Sequence, residues 1–108
     1  MIIMKWKYDD YKTWLESGHP VNDTITSLDI SQHNIKTLKH VNRLLNLQTL
    51  DCSKNQIKNI EDLILPKLYS LNCNNNEIEE IENLDLPNLQ TLKCYNNKII
   101  NLLFFQIY

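Results

Sequence analysis

The chain has 108 residues, is 43% hydrophobic, and carries eleven basic and thirteen acidic residues for a formal net charge of −2. That length fits one domain with a core of its own, and charges of both signs spread throughout leave no electrostatic footprint for nucleic acid. Only four apolar residues precede Lys5, where a secretory signal needs a run of about 7–15 and a membrane span about 20; the expected compartment is therefore the cytosol, with no membrane partner.

Met4, Trp6 and Tyr8 alternate with Lys5 and Lys7, which is the period of a strand. In the following stretch, Asp9 or Asp10 can cap a helix by accepting bonds from its first free amides. Tyr11, Trp14 and Leu15 share one apolar stripe. Gly18 supplies a left-handed end and Pro20 blocks a restart. These signals predict a short amphipathic helix inside an N-terminal segment covering residues 1–24. Trp6 and Trp14 could form a ligand platform, but no acidic or polar constellation accompanies them, which favours packing.

From Ile25 onward the chain repeats itself. ITSLDISQHNIKTL begins at residue 25, LQTLDCSKNQIKNI at 47, LYSLNCNNNEIEEI at 68 and LQTLKCYNNKIINL at 89. The last three copies fall 21 residues apart and the first lies 22 before the second, a period in the range of about 20–29 residues that belongs to a short repeat unit. The pattern L-x-x-L-x-C-x-x-N-x-I resembles the leucine-rich repeat, with Cys at the third apolar position in three copies. The short period and the I-x-x-[IL] continuation are similar to those of phosphatase-regulatory-subunit and internalin-type repeats. The resemblance implies an α/β fold over residues 25–108: a right-handed leucine-rich-repeat solenoid of four repeats, with a curved parallel sheet of about four strands. The helix would then be an N-terminal cap, since terminal repeats of a solenoid need one.

Within each copy, the residues at positions four and six share one strand face. The predicted strands are Ser27–Ser31, Thr49–Ser53, Ser70–Asn74 and Thr91–Tyr95. The returning halves, Lys36–Asn46, Lys58–Lys67 and Glu79–Asn88, bring Leu38, Val41 and Leu44 and their equivalents to the other side of the core. They are short and Asn-rich, which predicts helical turns or irregular coil. Pro66 and Pro87 precede the next strand, where a missing amide is tolerated.

Asn55, Asn76 and Asn97 recur where the backbone leaves each strand. Peptide groups turned into the interior must be paired, and an Asn amide both donates and accepts, so these three predict a ladder between copies. His33 takes this place in the first copy. It could be a metal ligand or pH sensor, but a first rung has a repeat on one side only and demands less. His19 and His40 have no evident partners and are expected in exposed connections.

Cys52, Cys73 and Cys94 would stack in one column. In-register parallel strands point both Cβ vectors the same way, which disfavours a disulfide, and the spacing matches no compact metal motif. Core packing as small hydrophobes is the expected role. No cofactor and no metal site are expected.

Function on such a fold is expected on the concave sheet face. Its columns are Ser27/Thr49/Ser70/Thr91, Asp29/Asp51/Asn72/Lys93 and Ser31/Ser53/Asn74/Tyr95, with Gln32/Lys54/Asn75/Asn96 at the strand exits. Asp29, Thr49, Asp51, Ser53, Tyr69, Asn72, Asn74, Lys93 and Tyr95 are the candidate contacts for a protein partner, with the two tyrosines as aromatic anchors. A plain solvated face is the competing reading. Asp29 and Asp51 would be neighbours, and carboxylates about 5 Å apart suit a retaining glycosidase. That chemistry needs a deep pocket with one raised pKa, which a shallow hydroxyl-lined surface lacks, so an enzyme is not expected.

The expected function is protein–protein binding, as the resemblance implies. The alternative is a self-assembling unit that forms a homodimer at the C-terminal end. There the edge of the last strand lies beside Leu103, Phe104, Ile107 and Tyr108, and open edges invite pairing with another chain. The bias to Asn, Ile, Lys and Leu suits an AT-rich genome such as that of a large DNA virus.

Overall fold

The computed structural model describes residues 4–100. In chain order the elements are β1 (Met4–Trp6), α1 (Tyr8–Glu16), β2 (Ile25–Asp29), a 3-10 turn (Val41–Arg43), β3 (Thr49–Asp51), β4 (Asn59–Glu61), β5 (Ser70–Asn72), β6 (Glu80–Glu82) and β7 (Thr91–Lys93). The fold is mixed α/β: one helix and a five-stranded parallel sheet in the order β1-β2-β3-β5-β7, with β4 and β6 paired separately.

The main sheet has five strands rather than four, because Met4–Trp6 pairs in parallel with β2 and sets Trp6 beside Leu28. The repeat pattern could not reveal β1, since that strand lies outside the repeats. The strands of all four copies also end two residues earlier than predicted, at Asp29, Asp51, Asn72 and Lys93, and the first starts two residues earlier, at Ile25. The chain then swings through left-handed residues at Lys54, Asn75 and Asn96, with φ of 55°, 58° and 55°, and this turn ends the pairing.

The helix begins one step earlier than Asp9. Lys7 is the residue before the first turn, and its backbone N–H donates to the Asp10 carboxylate at 3.0 Å. Asp10 therefore reaches back from the third helical position, while Asp9 and Asp10 place negative charge where the helix dipole favours it. At the other end Gly18 has φ 97°, and the His19 N–H closes the helix on the Trp14 carbonyl at 2.9 Å. Tyr11 and Trp14 are buried and Leu15 packs half-buried beside them. Trp6 and Trp14 lie 6.1 Å apart and tilted, packed against the core rather than displayed as a platform.

Stacking of equivalent residues makes the core. Leu28, Leu50 and Leu71 are consecutive partners across the sheet, and Ile30, Cys52 and Cys73 follow them into the interior. The returning halves close the other side with Leu38, Ile60 and Ile81, then Val41, Leu63 and Leu84, then Leu44, Leu65 and Leu86, all buried. Burying one such aliphatic side chain contributes roughly 1.5–3 kcal/mol, so the repeated rows supply the driving force for the arrangement.

The returning halves hold more order than coil. β4 and β6 pair in parallel, with Ile60 beside Ile81 facing inward and Asn59, Glu61, Glu80 and Glu82 flanking them. Asn and Glu are poor strand formers, which hid this pair. Hydrogen bonding between equivalent peptides overrides that propensity.

Candidate functional site

The polar face of the main sheet carries the predicted columns in register. Ser27, Thr49, Ser70 and Thr91 are successive partners, and so are Asp29, Asp51, Asn72 and Lys93. The Thr49 hydroxyl donates to Ser27 Oγ at 2.8 Å, tying two strands through the first column.

The second and third columns are coupled by local turns. Asp29 Oδ1 accepts the Ser31 N–H at 3.0 Å and its hydroxyl at 2.7 Å. Asp51 does the same for Ser53 at 3.0 and 2.6 Å, and Asn72 Oδ1 accepts the Asn74 N–H at 3.1 Å. An Asp or Asn that bonds the amide two residues on is an Asx turn, which explains why these columns pair Asp with Ser and Asn with Asn. One carboxylate oxygen of each Asp is thus engaged inside the fold.

That geometry divides the predicted contact residues. Asp29, Lys93, Tyr69 and Tyr95 are exposed, and Thr49, Asp51 and Asn72 are half-buried. Ser53 and Asn74 are buried, at 7% and 8% exposure. Asn74 Oδ1 also accepts the Tyr95 N–H at 2.8 Å, so this pair shapes turns rather than a partner surface. Tyr69 belongs to a further column ahead of the strands, because its N–H donates to the Gln48 carbonyl and its own carbonyl accepts from Gln90. Leu103, Phe104, Ile107 and Tyr108, expected to self-associate, lie outside the described residues.

The Asn ladder is present. Asn55 Oδ1 accepts the amides of His33 and Ile35, both at 2.9 Å, while its Nδ2 reaches the Ile30 and Cys52 carbonyls at 3.0 Å. Asn76 and Asn97 repeat the arrangement one and two copies on. His33 has no earlier rung to serve, and its ring stacks on Tyr8 with centroids 4.1 Å apart.

Cys52 and Cys73 are buried and Cys94 is half-buried; all three are free thiols. The Cys52 Sγ faces the Asn72 carbonyl at 3.4 Å, and the Cys73 Sγ faces that of Lys93 at 3.2 Å. Burial pushes the Cys52 thiol well up and that of Cys73 up to about 12, with neighbouring thiols adding to both shifts. Such thiols are poor nucleophiles. Among the described residues no group of three or more His, Cys, Asp or Glu is placed to hold a metal.

Two features were missed from the sequence. His19 and His40, expected in exposed connections without partners, instead stack on one another at 3.7 Å. Glu61, Asp62, Glu80 and Glu82 gather around the β4–β6 pair, where a hydrogen bond donated by protonated Glu82 to Glu80 and the surrounding negative charges raise the Glu82 carboxyl above its ordinary range. A cleft of about 390 Å³ lies nearby on the returning halves, between Lys36–Asn42 and Lys58–Leu63; it contains neither Asp29 nor Asp51.

Residues 45–86 match the family model for leucine-rich repeats in two copies. The matched stretch spans the second and third copies of the repeat, and leucine-rich repeats are the class of structure it defines. Such repeats generally act as non-catalytic modules in protein–protein interaction. No curated protein and no solved structure matches the chain.

Proposed function

We propose that this protein is a non-catalytic binding module, a leucine-rich-repeat solenoid closed by α1 as its N-terminal cap, which holds a protein partner on the concave face of its main sheet. The observation that carries this reading is the registered column Asp29/Asp51/Asn72/Lys93 flanked by two exposed aromatic rings, Tyr69 at 42% and Tyr95 at 65% exposure. Exposed tyrosines beside charges of both signs suit an interface, where an aromatic anchor supplies area and the charges set register. Ser53 and Asn74 support the face from beneath. Asp29, Thr49, Asp51, Tyr69, Asn72, Lys93 and Tyr95 are left as its contacts.

The test is capture of a partner from source lysate, followed by Asp51→Ala, Lys93→Ala and Tyr95→Ala together. Lost capture with an unchanged circular dichroism spectrum supports the face; undiminished capture by the triple variant places the binding elsewhere.

A second reading has an observation of its own. Among the described residues β7 pairs on one side only, with β5, and Leu92 and Cys94 are half-buried where Leu71 and Cys73 are closed over. This edge suits self-association about a two-fold axis. Light scattering across a dilution series checks it, and a monomer persisting at high micromolar concentration rules it out.

A further inference from the structure

The junction between α1 and the first repeat holds two histidines that neither the repeat pattern nor the binding face requires. Gly18 and His19 follow the helix with φ of 97° and 44°, two successive left-handed residues. That path swings the His19 ring over His40, the residue before the 3-10 turn. Their centroids are 3.7 Å apart with planes inclined by 12°. The edge of Trp14, buried in α1, meets His19 at 6.2 Å and 69°, and the Trp14 indole N–H donates to the Pro20 carbonyl at 2.9 Å. Helix end, junction and turn thus meet at one stack of rings.

We propose that the stacked His19–His40 pair is an acid-released latch: the neutral rings hold the C-terminal end of α1 against the turn Val41–Arg43, and charging them frees it. Three features make the closed form depend on neutrality. His19 Nδ1 is buried with no hydrogen-bond partner among the described residues. A neutral imidazole can leave one nitrogen bare, whereas an imidazolium carries N–H on both. His40 faces His19 from the N-terminal segment, with Lys39 and Arg43 acting on it from its own, and every one of these is a cation or becomes one. Desolvation first, then these neighbours, holds the His40 ring below its ordinary titration range.

The sign follows from linkage. A histidine depressed in the folded state binds fewer protons there than in the open chain, so the closed form loses stability as pH falls from about 6.5 through the lower folded value. Beyond the stack the chain stays fastened: the Asn22 N–H donates to the Arg43 carbonyl and the Leu45 N–H to the Asn22 carbonyl, both at 2.9 Å. Opening is therefore local, with residues 18–21 as the hinge and the last turn of α1 as the moving part, since Tyr11 is buried in the core and β1 holds the start of the helix to β2.

The test is an NMR titration of the intact protein from pH 7.5 to 4.5, following the histidine ring protons and amide exchange corrected for its intrinsic pH dependence. The expected result is loss of the His19–His40 inter-ring contact on acidification, with exchange in Trp14–Ser17 rising at least tenfold more than exchange in β3 and β5. His19→Phe with His40→Phe keeps two stacked rings that cannot titrate, and should abolish the change. Should that variant fail to fold, Lys39→Gln with Arg43→Gln removes the neighbouring cations, brings the titration of His40 in the closed form nearer that of the open chain, and should therefore move the opening to lower pH. An inter-ring contact that survives to pH 4.5 in the wild-type protein, or an opening midpoint unmoved or raised by the cation-removing variant, overturns the proposal.

Discussion

The Nδ2 of Asn76 donates to the carbonyl of Cys52, a whole repeat earlier in the chain, at 3.0 Å. The same group also meets the Cys73 carbonyl at 3.1 Å, and its Oδ1 accepts the Ile57 N–H, again at 3.1 Å. One side chain therefore satisfies backbone groups of two successive repeats at the point where each leaves the sheet.

Asn76→Ala should accordingly be among the most damaging single changes. Each buried backbone group left without a partner costs about 1–3 kcal/mol, and Asn76 serves several. A loss of at least about 3 kcal/mol is expected on that basis, read as a lowered urea midpoint. Asn97→Ala should cost less, because Asn97 is only half-buried and water can replace part of what is lost. Equal losses at the two positions would show that the bonds between repeats do not set the order.

The ladder also shows how far the sequence could be read. Four copies in register place Leu28, Leu50 and Leu71 in one row, and any parallel stacking with that period must align Asn55, Asn76 and Asn97. What escaped detection either lacks that periodic support or is too short to signal a strand. Met4–Trp6 belongs to no copy, so its alternation could not say which strand it joins. Asn59–Glu61 and Glu80–Glu82 are three residues long and contain one apolar side chain each, too little for a strand signal. The polar columns were legible as rows but not as turns: Asp51 and Ser53 read as two surface residues until the carboxylate is seen accepting both Ser53 groups. His19 and His40 meet only because a left-handed pair of residues redirects the chain, and no spacing encodes that.

Lys54 occupies the left-handed position that Asn fills in the next two copies, at Asn75 and Asn96. Asn tolerates this conformation better than a long unbranched side chain does. The Lys54 side chain is exposed, and its amide still donates to the Asn74 carbonyl in a variant. Lys54→Asn should therefore stabilise the protein by roughly 0.5–1 kcal/mol, an estimate from the strain of left-handed residues. Thermal unfolding checks this, and an unchanged or lowered midpoint would count against relief of strain at this turn.

Thiol reactivity should rank by depth. Cys94 is half-buried, whereas Cys52 and Cys73 are enclosed and their thiols are raised by burial. With an aromatic disulfide reagent at pH 8, Cys94 should react first in the native protein and the other two only as fast as the fold opens. Cys73→Ser should cost only about 1 kcal/mol, since the Lys93 carbonyl beside Sγ can accept from the new hydroxyl and limits the desolvation penalty. Three equally fast thiols in the folded protein would contradict the packing of this column.

Glu82 gives a prediction of opposite sign to that of the histidines. Its carboxyl is raised above the ordinary 4.5 by the hydrogen bond that its protonated form donates to Glu80, then by the charge of Glu80, by desolvation and by the charges of Glu61 and Asp62. A carboxyl raised in the folded state holds its proton at pH values where the unfolded chain has released it. Stability contributed by this site is therefore present below the unfolded value and is lost as pH rises through the folded one. Glu82→Gln keeps a side chain that can bond Glu80 and deletes one of the repelling charges. It should raise the urea midpoint at pH 7, and the gain should shrink towards nothing as the pH falls below 4.5 and the carboxyl is neutral in both states. Added salt should also narrow the gain at pH 7, because exposed charges are screened. A gain that is the same at pH 3 and pH 7 would mean that the substitution acts through packing or strand propensity, and not through the crowded carboxylates of β4 and β6.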